Sequence, residues 1–535
     1  MPEPDEAPAS ASAGARPARD EQHEHHEQPG AEQGVAIPRT DGRRSTRGAG
    51  RAVFAAAASA VDAELAESIR AERDWRRRYH RHARRLVARE TLRADDLVAV
   101  ARAGLAEAHE RFEFLPPEQP DGPDGSVPLA EAASLPPRRP LHDVEVHGQS
   151  VGTSEAVVPY RGGRLRGDSL FAQLGHWVDE GTVEPSLAEA VRTVVRQPDW
   201  RDLSDVTIVA LGAGAELSPV WWLSQWGATV LPIDLPGAGR WEGLLATLHE
   251  GRGRGVVPTR GPSEGGAGDH ALADRAGADL TTDLPELCAW VRDRPGPLVV
   301  LNTVYADGPD HIRAALAADA LTAHLTGIRE DVAVAHFVTP TDAFAAPEEA
   351  VAHARRRFRA RGARGRAQNL ARGVSRGRTF APNYPETMTS SEGWAFGIAD
   401  TIIPQQGASY LLAKRVQRWR ALTAAEDGRV VSANVAAPTA TRSVTKNRAL
   451  ATAYRGAPAF GIEIFEPATT TALQSLLLVH DLRHEAAAGQ PERVLAHPAE
   501  LFTEAANHAG LWRNPFDPRS VLGFALLRGL VSRGR

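Results

Sequence analysis

The sequence predicts an α/β protein built around a doubly wound parallel sheet, preceded by a helical N-terminal region and a disordered tail. Three observations carry this expectation. From about Asp205 onward, short apolar runs alternate with amphipathic stretches, the pattern of parallel strands covered by helices on both faces. The first run, VTIVALGAG, ends in glycines, and the second, ATVLPID, ends in an acid. Further on, Tyr410 and Lys414 lie four residues apart in GASYLLAKRVQRW, a spacing that puts both on one face of a helix.

Residues 1–50 are rich in Pro, Ala, Gly, Glu and Arg and hold almost no large apolar side chains, so they read as a disordered tail. Within it, His23, His25 and His26 read as a solvated tract rather than a metal site. Residues 51–114 read as helical: Val61, Leu65 and Ile69 repeat at i, i+4, and Leu97, Val100 and Leu105 mark a further helix. Residues 115–145 form a Pro-rich linker. Residues 146–204 carry the periodic pieces LFAQLGHWV and SLAEAVRTVV and read as a helical adapter or lid. The main domain spans 205–485. In it PVWWLSQW, LPELCAWV and IRAALAADALTAHL read as helices, and PLVVLN, VAVAHFV and FGIEIF as strands. An insertion at 345–400 interrupts this domain, and 486–535 form a C-terminal helical extension expected to dock on the N-terminal helices.

Composition narrows the class. At 535 residues, with 42% hydrophobic and 24% charged residues, the chain has enough apolar material for at least one large core. A net charge of -5 gives no global pull toward nucleic acid or membrane. One cysteine, Cys288, excludes an internal disulfide and a multi-cysteine zinc site, and fits a reducing cytoplasm. No apolar run reaches membrane-spanning length, and no metal site is expected.

The candidate chemistry lies in the main domain. A glycine turn between strand and helix lets backbone N–H groups approach a pyrophosphate; Gly212 and Gly214 occupy that turn. Asp234 ends the next strand, where a carboxylate can hold a ribose 2′-hydroxyl. Lys414, one turn beyond Tyr410, places an ammonium where it can lower the phenol pKa and make it a proton donor.

On these residues the chain resembles the short-chain dehydrogenase/reductase superfamily in a divergent form, over about Asp205 to Arg483, with a Rossmann-type sheet. The resemblance implies that Asp279 and Leu280 contact adenine. It places Asn302 of LNTVYADG in the turn after the fourth strand, and Tyr410 and Lys414 in the catalytic pair. Pro438 and Thr439 of VAAPTATRS fall in the loop over the nicotinamide. The hydroxyl that assists the tyrosine falls on Thr339 or Thr341 of HFVTPT, or on Ser390 or Ser391 of SSEGWAFG. In the glycine turn, Glu216 and Ser218 stand where the family has its other two glycines. The implied activity is hydride transfer between a nicotinamide cofactor and a carbonyl or alcohol. NAD is favoured over NADP because Asp234 would repel a 2′-phosphate, although Arg240 is close in sequence. ALGAGAE with Asp234 also suits an S-adenosylmethionine-dependent methyltransferase, and the altered turn suits a non-catalytic nucleotide-binding scaffold.

The expected partner is a small molecule. The acid-free block HARRRFRARGARGRAQNLARGVSRGR in the insertion suits a phosphate- or CoA-bearing substrate or a solvated surface. It lacks aromatics beyond Phe358 for base stacking, so nucleic acid is not expected. Leu473, Leu476, Leu477 and His480 share a helix face that suits a core or a homo-oligomer surface.

Overall fold

The computed structural model describes residues 33–40, 42–116, 125–262 and 268–531. Seven strands make the central sheet: β1 (Leu141–His147), β2 (Thr207–Leu211), β3 (Thr229–Ile233), β4 (Arg254–Arg260), β5 (Leu298–Asn302), β6 (Val332–His336) and β7 (Val431–Ser432). They lie in the order β7-β6-β5-β2-β3-β4-β1. β2 to β7 run parallel, and β1 joins antiparallel along β4. The register aligns the strand ends: Leu211 pairs with both Ile233 and Asn302, and Asn302 with His336. Residues that follow these strands therefore emerge together at one edge. The chain winds outward from β2 to β4 and then crosses to β5. A crevice opens at such a reversal.

Both sheet faces are dry, which explains why the strands read as continuous apolar runs. Successive side chains of a strand point to opposite faces. Val209 and Leu211 accordingly enter one core, and Ile208 and Ala210 the other. The first core is closed by the N-terminal helices, by Leu284–Arg292, Pro309–Ile328 and the long helix Gly407–Glu426. The second is closed by Gly167–Asp179, Pro185–Arg196, Ala238–His249 and Pro467–Arg483. Each fully buried Leu or Val there contributes about 1.5–3 kcal/mol.

The N-terminal helices are Thr46–Ser59, Ala63–Arg70, Trp75–Glu90 and Ala94–Arg111. Asp62 caps the second, accepting the Leu65 N–H at 2.8 Å. They form a layer on helix Gly407–Glu426. The fit is close: a Cβ on Gly104 would stand 2.5 Å from the Trp419 ring. This layer fixes the helix that carries Tyr410.

Several sequence expectations need correction. Regular structure begins inside the stretch 1–50 expected to be disordered: Gly34–Ala36 pairs antiparallel with Glu113–Leu115. Val35 is fully buried, and its carbonyl accepts from Arg313 Nε at 2.6 Å. The apolar triplet is short, but its backbone is paired and covered. Residues 1–32, including His23, His25 and His26, lie outside the described chain, as does most of the Pro-rich run after Leu115. The linker 115–145 contains the start of β1, a half-exposed edge strand whose sequence LHDVEVH is too polar to stand out as one. β4 was not foreseen either, because its glycine-flanked RGVVPTR lacks a long apolar run. FGIEIF is not a strand; it makes a 3-10 turn and one bridge, Thr439 to Phe465.

The remaining segments are ordered parts of the domain. Helix Pro185–Arg196 of the expected lid packs on Pro467–Arg483, and Gly167–Asp179 packs on Pro185–Arg196, so 146–204 are sheet-covering structure. Insertion 345–400 makes a three-stranded antiparallel sheet (Ala343–Pro347, Ala395–Asp400, Met388–Thr389) and two helices, Glu348–Arg359 and Gly362–Val374. The C-terminal helix Pro518–Val531 packs on Arg448–Gly456 rather than on the N-terminal helices. The helix face with Leu473, Leu476 and Leu477 is core. No helix among the described residues is long and apolar enough to cross a membrane.

A chain truncated to begin at Arg51 loses the Gly34–Ala36 strand, the Val35 contacts and the Ser45 cap, whose side chain accepts the Gly48 N–H at 3.0 Å. It is expected to melt several degrees lower, since losing one such cap alone costs about 1 kcal/mol. A thermal melt unchanged from the full chain refutes this.

Candidate functional site

At the sheet edge where β2 and β5 diverge lies a cleft of about 510 Å³. It is lined by the glycine-turn residues Ala215 to Leu217, the β5 end, the segment after β6, the start of helix Gly407–Glu426 and the loop after β7. Thr339, Tyr410, Lys414, Asn302, Pro438 and Thr439 all line it. Residues separated by over a hundred positions in sequence thus converge through the parallel register.

Tyr410 sits in the first turn of its helix, which begins at Gly407 with φ +86°. Its hydroxyl lies 2.7 Å from Thr339 Oγ1, which is 3.0 Å from Thr341 Oγ1. Burial raises the phenol pKa, and the hydrogen bonds from Thr339 and Thr341 oppose that shift. Lys414 Nζ stands 6.0 Å from the Tyr410 ring centre. Burial without a carboxylate partner lowers its pKa to about 8. The expected lowering of the tyrosine pKa by Lys414 is therefore not what dominates at Tyr410; burial is.

Lys414 is held from behind. Its ammonium donates to Gln417 Oε1 at 3.2 Å, and Gln417 Nε2 donates to Asn302 Oδ1 at 3.3 Å. Asn302 Oδ1 also accepts the Val304 N–H at 3.1 Å. Asn302 thus fixes the turn after β5 and, through Gln417, the lysine. Gln417 was not foreseen; its i+3 offset from Lys414 was the available signal. His311 was also missed. It lies edge-on to the Tyr410 ring at 5.5 Å, and its buried Nε2 has no hydrogen-bond partner. Burial first, and Lys414 second, hold its pKa well below the ordinary value, so it is a neutral imidazole at neutral pH. Nothing in the sequence marked it, because it reads as one residue of an apolar helix.

The choice among hydroxyls is decided by place. Ser391 is exposed on the outlying small sheet, with its N–H donating to Leu92 O at 2.9 Å and its hydroxyl to Glu392. Ser390 is buried in the same hairpin, where its hydroxyl accepts the Trp394 N–H. Neither lines the cleft, so Ser391 is withdrawn as a candidate. The arginine-rich block is likewise absent from the lining, and Arg442 and Lys446 are the cations that line the cleft besides Lys414.

On the nucleotide side, Gly212 has φ +74°, and a Cβ there would come within 3.1 Å of the Val304 backbone. Gly214 N–H donates to Asp234 Oδ2 at 2.7 Å. Asp234 Oδ1 accepts the Leu235 N–H at 2.8 Å and lies 3.2 Å from Arg240 Nε. Asp234 is therefore where the strand pattern put it, already bound to the turn and to a cation. Glu216, in place of a family glycine, turns toward the loop after β7, and its carboxylate accepts the Arg442 N–H at 2.8 Å. The helix after the turn is only Val220–Gln225. Asp279 accepts from the Thr281 N–H and hydroxyl, and Leu280 is buried in the core. Neither lines the cleft, although Ala278 N–H donates to Asp234 O at 3.0 Å. Thr439 bonds the Thr470 hydroxyl at 2.7 Å, fixing the loop beside Pro438.

No family model, curated protein or solved structure matches this chain.

Proposed function

We propose that this chain is an oxidoreductase of the short-chain dehydrogenase/reductase type, with a Rossmann-type sheet, acting on a carbonyl or alcohol. The carrying observation is the 2.7 Å contact between Thr339 Oγ1 and the Tyr410 hydroxyl, one helical turn from Lys414, in the crevice beside the glycine turn. The strand order β4-β3-β2-β5-β6-β7 supports the reading, since parallel sheets of this order bind dinucleotides at the reversal point.

A bound reduced nicotinamide supplies the hydride. The chain supplies the proton and its control. Thr339 orients the substrate oxygen and Tyr410 gives its hydroxyl proton to that oxygen. The tyrosinate left behind is offset by the Lys414 ammonium, which Gln417 and Asn302 hold in place. His311, neutral, packs the tyrosine ring. In the alcohol-oxidising direction Tyr410 takes the proton.

The cradle fits a dinucleotide on two counts. The cleft volume lies within the range of cofactor and ligand sites. An ionised carboxylate has about four acceptor sites, and Asp234 uses three on Gly214, Leu235 and Arg240. One is left for a ribose hydroxyl. The Glu216 carboxylate is offset by Arg442, whose guanidinium lies 3.6 Å away.

Fluorescence titration tests this. NADH is expected to bind more tightly than NADPH, and Arg240→Ala is expected to weaken NADPH further while sparing NADH. Affinity for either is expected to fall above about pH 8, as Lys414 loses its charge. Tighter NADPH binding rejects the NAD preference. Absence of binding by both, with no reduction of any carbonyl, rejects the reading.

A further inference from the structure

Behind the cleft is a second, smaller cavity of about 70 Å³. Thr341, Pro438, Leu450 and Tyr454 line both spaces, so they adjoin at these residues. Thr341 Oγ1 is 3.0 Å from Thr339 Oγ1, which sets the join one hydroxyl away from the Tyr410 contact. Beyond it the wall is apolar: Ala453, Ile462, Ile464, Leu522 and Ala525. Two polar groups of the wall turn mainly to partners outside it, although Arg519 Nη1 is buried without a hydrogen-bond partner. Thr401 donates its hydroxyl to the Pro340 and Asp342 carbonyls, and Arg519 pairs with Asp400 and Asp517.

The cavity is not slack between loosely docked helices. Helices Arg448–Gly456 and Pro518–Val531 form two of its sides, and they touch backbone to backbone. A Cβ on Gly456 would stand 1.9 Å from Ala525 O, and one on Gly529 1.9 Å from Thr452 O. Close docking at the glycines beside an open chamber at Ala453 and Leu522 is a shaped space. A cavity walled mainly by apolar side chains favours apolar occupants, because a polar group there would lose its water partners without replacement.

We infer that this chamber binds a short alkyl group, and, resting on the reductase reading, that the group is the apolar substituent of the carbonyl or alcohol held at Tyr410. Size sets the class. An apolar cavity of about 150 Å³ holds benzene; this one is about half that, which suits a linear or branched group of roughly three or four carbons and excludes a ring. The carbonyl then lies at the join, with its oxygen toward Thr339 and Tyr410 and its alkyl group past Thr341.

The test uses the full-length protein in two arms. In the first, xenon NMR titration detects an apolar cavity with no redox chemistry. Saturable binding is expected, and Ala453→Phe, which fills the chamber, is expected to abolish it. In the second, a series of unbranched methyl ketones is assayed with NADH and NADPH. kcat/KM is expected to rise about fourfold per added methylene until the chamber is full, then to stop rising. Ala453→Phe is expected to move that break to shorter chains, and Leu450→Ala, which enlarges the space, to longer ones. Leu450→Ala carries the test if Ala453→Phe does not fold. A wild-type protein that binds no xenon overturns the proposal, as does a flat chain-length profile that neither variant changes. Xenon binding lost in the filled variant, with no ketone reduced, rejects the reductase reading and leaves the alkyl site standing.

Discussion

Tyr410→Phe is expected to leave the fold intact and to lower turnover by roughly a hundredfold or more. The ring keeps its packing against His311, and the shortest hydrogen bond removed is the 2.7 Å one to Thr339, about 1 kcal/mol. A thermal melt close to that of the wild type, combined with the loss in kcat, is the expected pair of results. Lys414→Ala is expected to differ in kind. It removes the ammonium that offsets the tyrosinate, so both cofactor affinity and turnover fall. The control is Ser391→Ala, on the outlying hairpin, which is expected to leave turnover unchanged. Full activity in Tyr410→Phe removes the proton-transfer assignment, because among the described residues Tyr410 is the phenol hydrogen-bonded to Thr339.

The legible part of the fold was the part governed by two-faced burial. β2, β3, β5 and β6 read directly as apolar runs because each is covered on both sides. Helix Gly407–Glu426 was legible as a helix, but its partner layer was not. Trp419 packs against Gly104, which is 315 positions away in a region that shows only helical periodicity. β1 was lost because it is an edge strand with polar residues on its exposed side, and β4, although interior, because glycine and proline break its short apolar run.

The candidate site was legible where spacing within one element fixed geometry. Tyr410 and Lys414 are such a pair, and Gly212 with Asp234 follows from strand, turn and strand. It was not legible where two distant segments competed for one role. Thr339 and Ser391 both precede the tyrosine and carry a hydroxyl, and only the three-dimensional path of residues 345–400 separates them. Those residues return the chain to Tyr410 through a small sheet packed on the N-terminal helices. His311 and Gln417 were harder to pick out for a related reason: each sits inside a buried helix and takes its role from a partner on another element.

Asp342→Ala is expected to cost about 3–5 kcal/mol, the usual penalty for leaving a buried charge without its partner. Asp342 is fully buried three residues after Thr339. Its Oδ1 accepts from Arg415 Nη2 at 2.8 Å and its Oδ2 from Arg418 Nη1 at 2.9 Å. Arg415 also reaches Glu90 at 3.4 Å, and Arg418 donates to Ala343 O at 2.8 Å. Two guanidinium groups thus face two carboxylates, with all four side chains buried. Removing Asp342 leaves both cations against Glu90 alone, whose own pKa burial raises. Arg415 and Arg418 stand one and two turns beyond Tyr410, so the cluster clamps the tyrosine helix to the segment that carries Thr339. Variants that still fold are therefore expected to lose turnover as the Thr339–Tyr410 contact loosens. Chemical denaturation measures the stability change. Replacing Glu90, Asp342, Arg415 and Arg418 together with apolar residues of similar volume is expected to recover much of the lost stability, since a buried ionic cluster is destabilising mainly when broken. That fourfold variant would still lack the directional bonds that set the helix on its loop, so its turnover is expected to remain low. An Asp342→Ala protein that unfolds at the wild-type denaturant concentration would show that the clamp does not hold the helix.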